Sequence, residues 1–199
     1  MILLLLYVDD MIITGDDHSD SSDFKQFLHQ HFEMKDLGHL SYFLGLKVSS
    51  DSIGYYLSQM KFASDLLSRA GLTDTKVFST PLEMNARLTP LDGTPLNDVT
   101  LYRQLVGSLV YLTVTRLDIA YVVHLVSQFL AAPHSKHYAV VIHILRYIKG
   151  TMFHSLHFFA HSTLDLCAYS DASWVEDHTD RRFTTDFCFF LGDSYFLTQ

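Results

Sequence analysis

This 199-residue sequence predicts an α+β fold whose strands and helices lie in separate stretches. Three observations carry that expectation. Two apolar runs meet at a pair of carboxylates near the N-terminus, three central segments repeat apolar residues at helical spacing, and strand-like runs return toward the end. A hydrophobic content of 48% is ample for packed cores and fits one large or two small domains. Two cysteines, Cys167 and Cys188, make neither a disulfide framework nor a zinc quartet, which suits a reducing, intracellular setting. Residues 1–6 are apolar but lack a basic leader, and the most apolar region, 105–130, is broken by Arg116 and Asp118. Neither a secretory signal nor a membrane span is therefore expected.

Residues 3–14 read LLLLYVDDMIIT, two runs fit for buried strands around Asp9 and Asp10. The Asp-Asp pair reads as the tip of a tight hairpin, since Asp tolerates turn conformations. Two carboxylates there suit a hard divalent cation of the kind used in phosphoryl transfer, whereas a plain solvated turn is the simpler alternative. Asp16 and Asp17 read as turn and helix-cap residues. A helix over 20–34 follows, with Phe24, Phe27, Leu28 and Phe32 as its core-facing stripe.

Strands are expected over 40–48 and 55–58, and Gly45 within the first suggests a bulge or close backbone approach. A helix spans 59–70, capped by Gly71. Residues 76–98 hold Pro81, Pro90, Pro95 and Gly93 and read as a linker. Helices follow over 100–113, 118–130 and 136–149, and then strands over 155–159, 164–170 and 184–191. No internal repeat stands out.

The net charge of −8 is unevenly spread: −7 over residues 1–98, +4 over 99–161 and −5 over 162–199. A basic middle between acidic ends suits a surface that tracks a nucleic-acid backbone beside a carboxylate metal site. His134 and His137, around a helix start, and His154, His157 and His161, near a strand, read as surface histidines. On a strand i and i+3 face opposite sides, so His154 and His157 could not share an ion there. Cys167 and Cys188 read as buried thiols on adjacent strands. Glu176, Asp177 and Asp180 read as a solvated loop.

Tyr7-Val8-Asp9-Asp10 between apolar strands resembles the catalytic hairpin of reverse transcriptases, and YVDDMIITG is similar to the wording of copia-type LTR retrotransposons. The likeness continues through Phe32-Glu33-Met34-Lys35-Asp36-Leu37-Gly38 and Tyr42-Phe43-Leu44-Gly45-Leu46. It runs on through Tyr102–Leu112, Thr115-Arg116-Leu117-Asp118-Ile119, Ser127-Gln128-Phe129 and residues 144–151. Tyr169-Ser170-Asp171-Ala172-Ser173-Trp174 and Arg181-Arg182 resemble the opening of the ribonuclease H domain. Departures are Leu117 where the family usually has Pro, and Phe183 and Asp186 where small residues are usual.

The resemblance implies a partial palm with its catalytic hairpin over 1–80, a linker over 81–98, a helical thumb module over 99–152 and incomplete ribonuclease H-like strands over 153–199. It implies Asp9 and Asp10 as catalytic metal ligands for Mg²⁺ or Mn²⁺, Asp171 as a ribonuclease H metal ligand, and Phe43, Leu44 and Gly45 as the primer grip. Arg103, Arg116, Arg146 and Lys149 would contact an RNA template–DNA primer duplex, with other retroelement Pol or Gag products as further partners. The setting implied is a cytoplasmic particle or the nucleus. The family's polymerase uses a third carboxylate and nucleotide-binding fingers from upstream of the hairpin. The chain is therefore expected to be a fragment, inactive alone. The alternative is a non-catalytic nucleic-acid-binding remnant or a decayed reading frame.

Overall fold

The computed structural model describes residues 1–83, 86–163, 165–173 and 184–198, with backbone only at 171–173, 184–187 and 194–198. The chain divides into two compact units, Met1–Val48 and Ser49–Gln199. The boundary thus falls inside the stretch expected as palm.

In the first unit, β1 (Ile2–Tyr7) and β2 (Asp10–Gly15) pair antiparallel from Ile2↔Gly15 to Tyr7↔Asp10. These strands are not buried, contrary to expectation: Leu3, Leu4, Leu5 and Leu6 remain between 47% and 60% exposed. A two-stranded ribbon offers too little sheet to cover both of its own faces. Helix α1 (His18–His31) starts at Asp17, whose carboxylate accepts the Ser19 N–H at 2.7 Å. Of its expected core stripe only Leu28 is buried, while Phe27 and Phe32 are exposed. The helix packs mainly on β2 of that narrow ribbon.

Two short strands close the unit. β3 (Tyr42–Phe43) and β4 (Leu46–Ser50, continuing past the boundary) pair as Tyr42↔Lys47 and Phe43↔Leu46. The continuous strand expected over 40–48 is therefore a hairpin, turned by Leu44 (φ 50°) and Gly45 (φ 79°). Two consecutive positive φ angles make a type I′ turn, whose twist matches that of the flanking strands. Gly45 belongs to this turn rather than to a bulge.

The second unit is organised by α2 (Met60–Arg69), α3 (Thr100–Leu112), α4 (Ala120–Ser127) and α5 (Ser135–Gly150). Their apolar stripes meet in one core that includes Leu66, Leu105, Leu109, Val126, Ile144 and Ile148. The helical periodicity of the sequence is met here almost residue for residue. Buried Tyr102 donates its hydroxyl to the Val126 carbonyl at 2.7 Å, which satisfies the polar end of a core side chain. Gln59, immediately before α2, is also buried. It donates to the Tyr111 carbonyl at 3.1 Å and accepts the Thr115 hydroxyl at 2.8 Å, fastening the start of α2 to the end of α3.

β5 (Gly54–Ser58) pairs antiparallel with β6 (Leu156–Phe159), from Gly54↔Phe159 to Leu57↔Leu156. The strand expected to open the ribonuclease H-like part thus pairs with one from the palm-like part. β7 (Leu166–Ser173), β8 (Thr184–Leu191) and β9 (Ser194–Thr198) form a separate antiparallel meander. β9 had no counterpart in the sequence reading. No described helix is long and apolar enough to cross a membrane.

Candidate catalytic hairpin

The turn between β1 and β2 is two residues long, and its tip is Val8-Asp9, with Asp10 already paired to Tyr7 as the first residue of β2. The expected Asp-Asp tip is therefore shifted by one residue. The left-handed position falls on Val8, at φ 49°. Among the described residues only Val8 and Leu44 combine a side chain with positive φ. A β-branched residue is a poor occupant of that region, which costs on the order of 1–3 kcal/mol and needs support from its surroundings. Here the strained backbone immediately precedes two exposed carboxylates.

Asp9 and Asp10 line a cleft of about 450 Å³ within the first unit. Tyr42, Phe43, His29 and Lys35 also line it. The structure thus brings Phe43 to the same cleft as the carboxylates, whereas Leu44 and Gly45 form the turn that follows it in sequence. Lys25, another lining residue, is paired with Asp36 at 3.0 Å.

Aspartate oxygens suit Mg²⁺, which commonly takes one or two carboxylates and completes its shell with water and substrate phosphate. Asp9 and Asp10 fit that donor chemistry. No group of three or more metal-type side chains occurs among the described residues. Asp171 lies on β7 opposite Asp186 in register, and its side chain is outside the described residues. Trp174, Glu176, Asp177, Asp180, Arg181, Arg182 and Phe183 are also outside them.

The four basic residues expected at nucleic acid all carry intramolecular bonds. Arg103 donates to the Leu130 and Ala131 carbonyls at 2.9 and 3.3 Å. Arg116, 4% exposed, is held by Asp118 and Thr151. Arg146 pairs with Asp74 at 3.0 Å, and Lys149 donates to the Leu72 carbonyl at 2.8 Å and to that of Asp74. Periodicity places Arg103, Arg146 and Lys149 on helices and Arg116 between two of them, but cannot reveal these partners.

Two expectations about side chains need correction. His134 and His137 are buried rather than on the surface, because a neighbouring loop folds over the start of α5. Cys167 is exposed and Cys188 half-buried, since the three-stranded meander covers neither thiol fully. Gln59, Thr115, Tyr147 and Thr151 were missed as polar anchors. The one available signal was that polar residues interrupt or end otherwise apolar helical runs.

Residues 1–84 match the family model described as reverse transcriptase (RNA-dependent DNA polymerase). The Pol polyprotein of transposon RE1 from Arabidopsis thaliana is 40% identical over 192 residues, covering 96% of this chain and 13% of that protein. The uncharacterized mitochondrial protein AtMg00810 of the same plant is 40% identical over 189 residues, covering 95% of this chain and 78% of its own length.

The chain belongs to the copia-type retrotransposon reverse transcriptase family.

A further member, the Pol polyprotein of transposon TNT 1-94 from Nicotiana tabacum, is 36% identical over 197 residues, 94% of this chain and 15% of that protein. The copia-type chain therefore spans most of the mitochondrial relative but only a small part of the polyproteins. No solved structure matches it. The matched family region holds the hairpin, the cleft and the Leu44-Gly45 turn together.

Proposed function

We propose that this chain is a palm-and-thumb portion of an RNA-directed DNA polymerase, with Asp9 and Asp10 as the metal-binding carboxylates. The observation that carries this reading is the strained Val8 turn that presents both aspartates to the cleft lined by Phe43. Asp9 and Asp10 would hold Mg²⁺ or Mn²⁺. A bound divalent ion would offset the charge of the transferring phosphoryl group and favour ionisation of a primer 3′-hydroxyl. Tyr42 and Phe43 offer aromatic faces against which a terminal nucleotide can rest, and the Leu44-Gly45 turn holds them in place as a primer grip. RNA template, DNA primer and other Pol or Gag products are the partners, and the cytoplasm or nucleus is the setting.

On its own, this 199-residue polypeptide does not polymerise in our reading. Asp9 and Asp10 share the cleft with Glu33 and with Asp36, which is paired to Lys25, but no three metal-type side chains converge among the described residues. A two-metal polymerase site needs further ligands to hold both ions. Primer extension on an RNA template with Mg²⁺ is expected to equal that of an Asp9→Asn/Asp10→Asn control. Template-dependent extension above that control overturns the claim of inactivity. Isothermal titration should also detect Mg²⁺ or Mn²⁺ binding that the double substitution abolishes; equal binding by both proteins removes the metal assignment.

The +4 charge of residues 99–161 supports a second reading, a non-catalytic duplex-binding remnant. It calls for salt-sensitive binding that survives the aspartate substitutions and weakens when Arg103, Arg146 and Lys149 are neutralised. Arg116, buried against Asp118, is assigned a structural role in this reading. Salt-independent or absent binding removes it.

A further inference from the structure

The stretch expected to be a loose linker is fastened along the start of α5 by a continuous set of bonds. Ser135 N–H donates to the Thr94 carbonyl at 2.8 Å, Thr94 N–H to the Ser135 hydroxyl at 3.1 Å and Leu96 N–H to the Pro133 carbonyl at 3.1 Å. Lys136 pairs with Asp92 at 3.2 Å, and Asp92 also accepts the Thr89 N–H at 2.8 Å. Gly93, at φ 87°, passes so near Ser135 that a Cβ there would collide with its hydroxyl. Leu88 and Leu96 rest against the helical core on either side of this loop. The arrangement satisfies helix-start amide groups that would otherwise be orphaned.

His137 lies at the centre, fully buried, with its ring stacked 3.9 Å from Phe129. Its Nδ1 lies 2.9 Å from the His134 backbone N–H, which can only donate, so Nδ1 must carry the lone pair. The proton is then on Nε2, which donates to the Thr89 carbonyl at 2.9 Å. This neutral tautomer is fully satisfied. Adding a proton would set Nδ1–H against the His134 N–H, with no acceptor between them.

We infer that His137 is an acid-sensitive clasp: its protonation releases residues 89–96 from α5 while the helical core stays folded. Burial is the main influence holding the imidazole below its ordinary value of 6.5, opposed by the Thr89 hydrogen bond. Nearby His134 adds to the depression and Asp92 works against it. Lys136, the preceding residue on α5, is paired with Asp92. Because the folded-state value is depressed, the clasp is closed above 6.5 and loosens as the pH falls below it.

Amide hydrogen exchange on the full chain, expressed as protection factors to remove the intrinsic pH effect, provides the test. Protection over residues 89–96 is expected to fall about tenfold or more between about pH 7.5 and about pH 5, while that of α3 and α5 holds. His137→Gln can keep both hydrogen bonds without titrating and should flatten the profile, whereas His134→Gln should leave it in place. Flat protection in the native chain overturns the proposal, as does a pH dependence that persists in His137→Gln. If that variant fails to fold, NMR titration of the native His137 ring decides instead. Titration below 6.5 in step with the loss of protection upholds the clasp, and titration at or above that value overturns it.

Discussion

Arg116 and Asp118 form a two-pronged ion pair, Nε to Oδ1 at 2.9 Å and Nη2 to Oδ2 at 2.7 Å, across the start of the 3₁₀ turn Leu117–Ile119. The same guanidinium donates to the Thr151 carbonyl at 3.1 Å and hydroxyl at 2.6 Å, and the Tyr147 hydroxyl donates to Asp118 at 2.7 Å. The pair therefore binds the segment after α3 to the end of α5. Removing one partner leaves a poorly solvated charge, so Arg116→Ala should cost about 3–5 kcal/mol. Urea unfolding followed by circular dichroism checks this. Asp118→Asn should also destabilise, and the double variant should lose less than the two losses together.

Acid stability gives a second expectation. Burial raises the Asp118 pKa, but hydrogen bonds from Arg116 and Tyr147 and the charge of Arg116 outweigh it and leave the group below 3.8. Its contribution is present above that ordinary value and is lost as pH falls through the lowered folded value. Native chain and Asp118→Asn should therefore converge in stability in strong acid and differ at neutral pH. A constant difference across the acid range would refute the linkage.

Two turns carry strain that substitution can relieve. Leu44→Asn creates the Asn-Gly pair favoured in type I′ turns and should raise stability by about 1 kcal/mol, read from the unfolding midpoint. Val8→Gly should likewise relax the hairpin. If the strain serves to hold Asp9 in position, Val8→Gly also weakens divalent-ion binding severalfold in calorimetry. Unchanged affinity would detach the strain from the site.

Burial separates the apolar residues of the two units. Leu109→Ala, in the helical core, should cost about 2–5 kcal/mol. Leu5→Thr, on the exposed β1 ribbon, should change stability by no more than about 0.5 kcal/mol and reduce aggregation, measured by light scattering.

Local chemistry determined much of this protein. Helical spacing of Leu105, Leu109 and their neighbours located α3, α4 and α5, because a helix in water must turn its apolar stripe toward a core. The Tyr7-Val8-Asp9-Asp10 string identified the hairpin and, with the segments after it, the family. Tertiary structure decided what pattern alone leaves open. Whether Leu3–Leu6 are covered depends on how much sheet lies beside them. Whether His137 meets water depends on a loop some 48 positions earlier in sequence, and Arg146 is committed by Asp74, which is 72 positions away. Periodicity reports which face of an element is apolar; only the folded chain determines what meets that face.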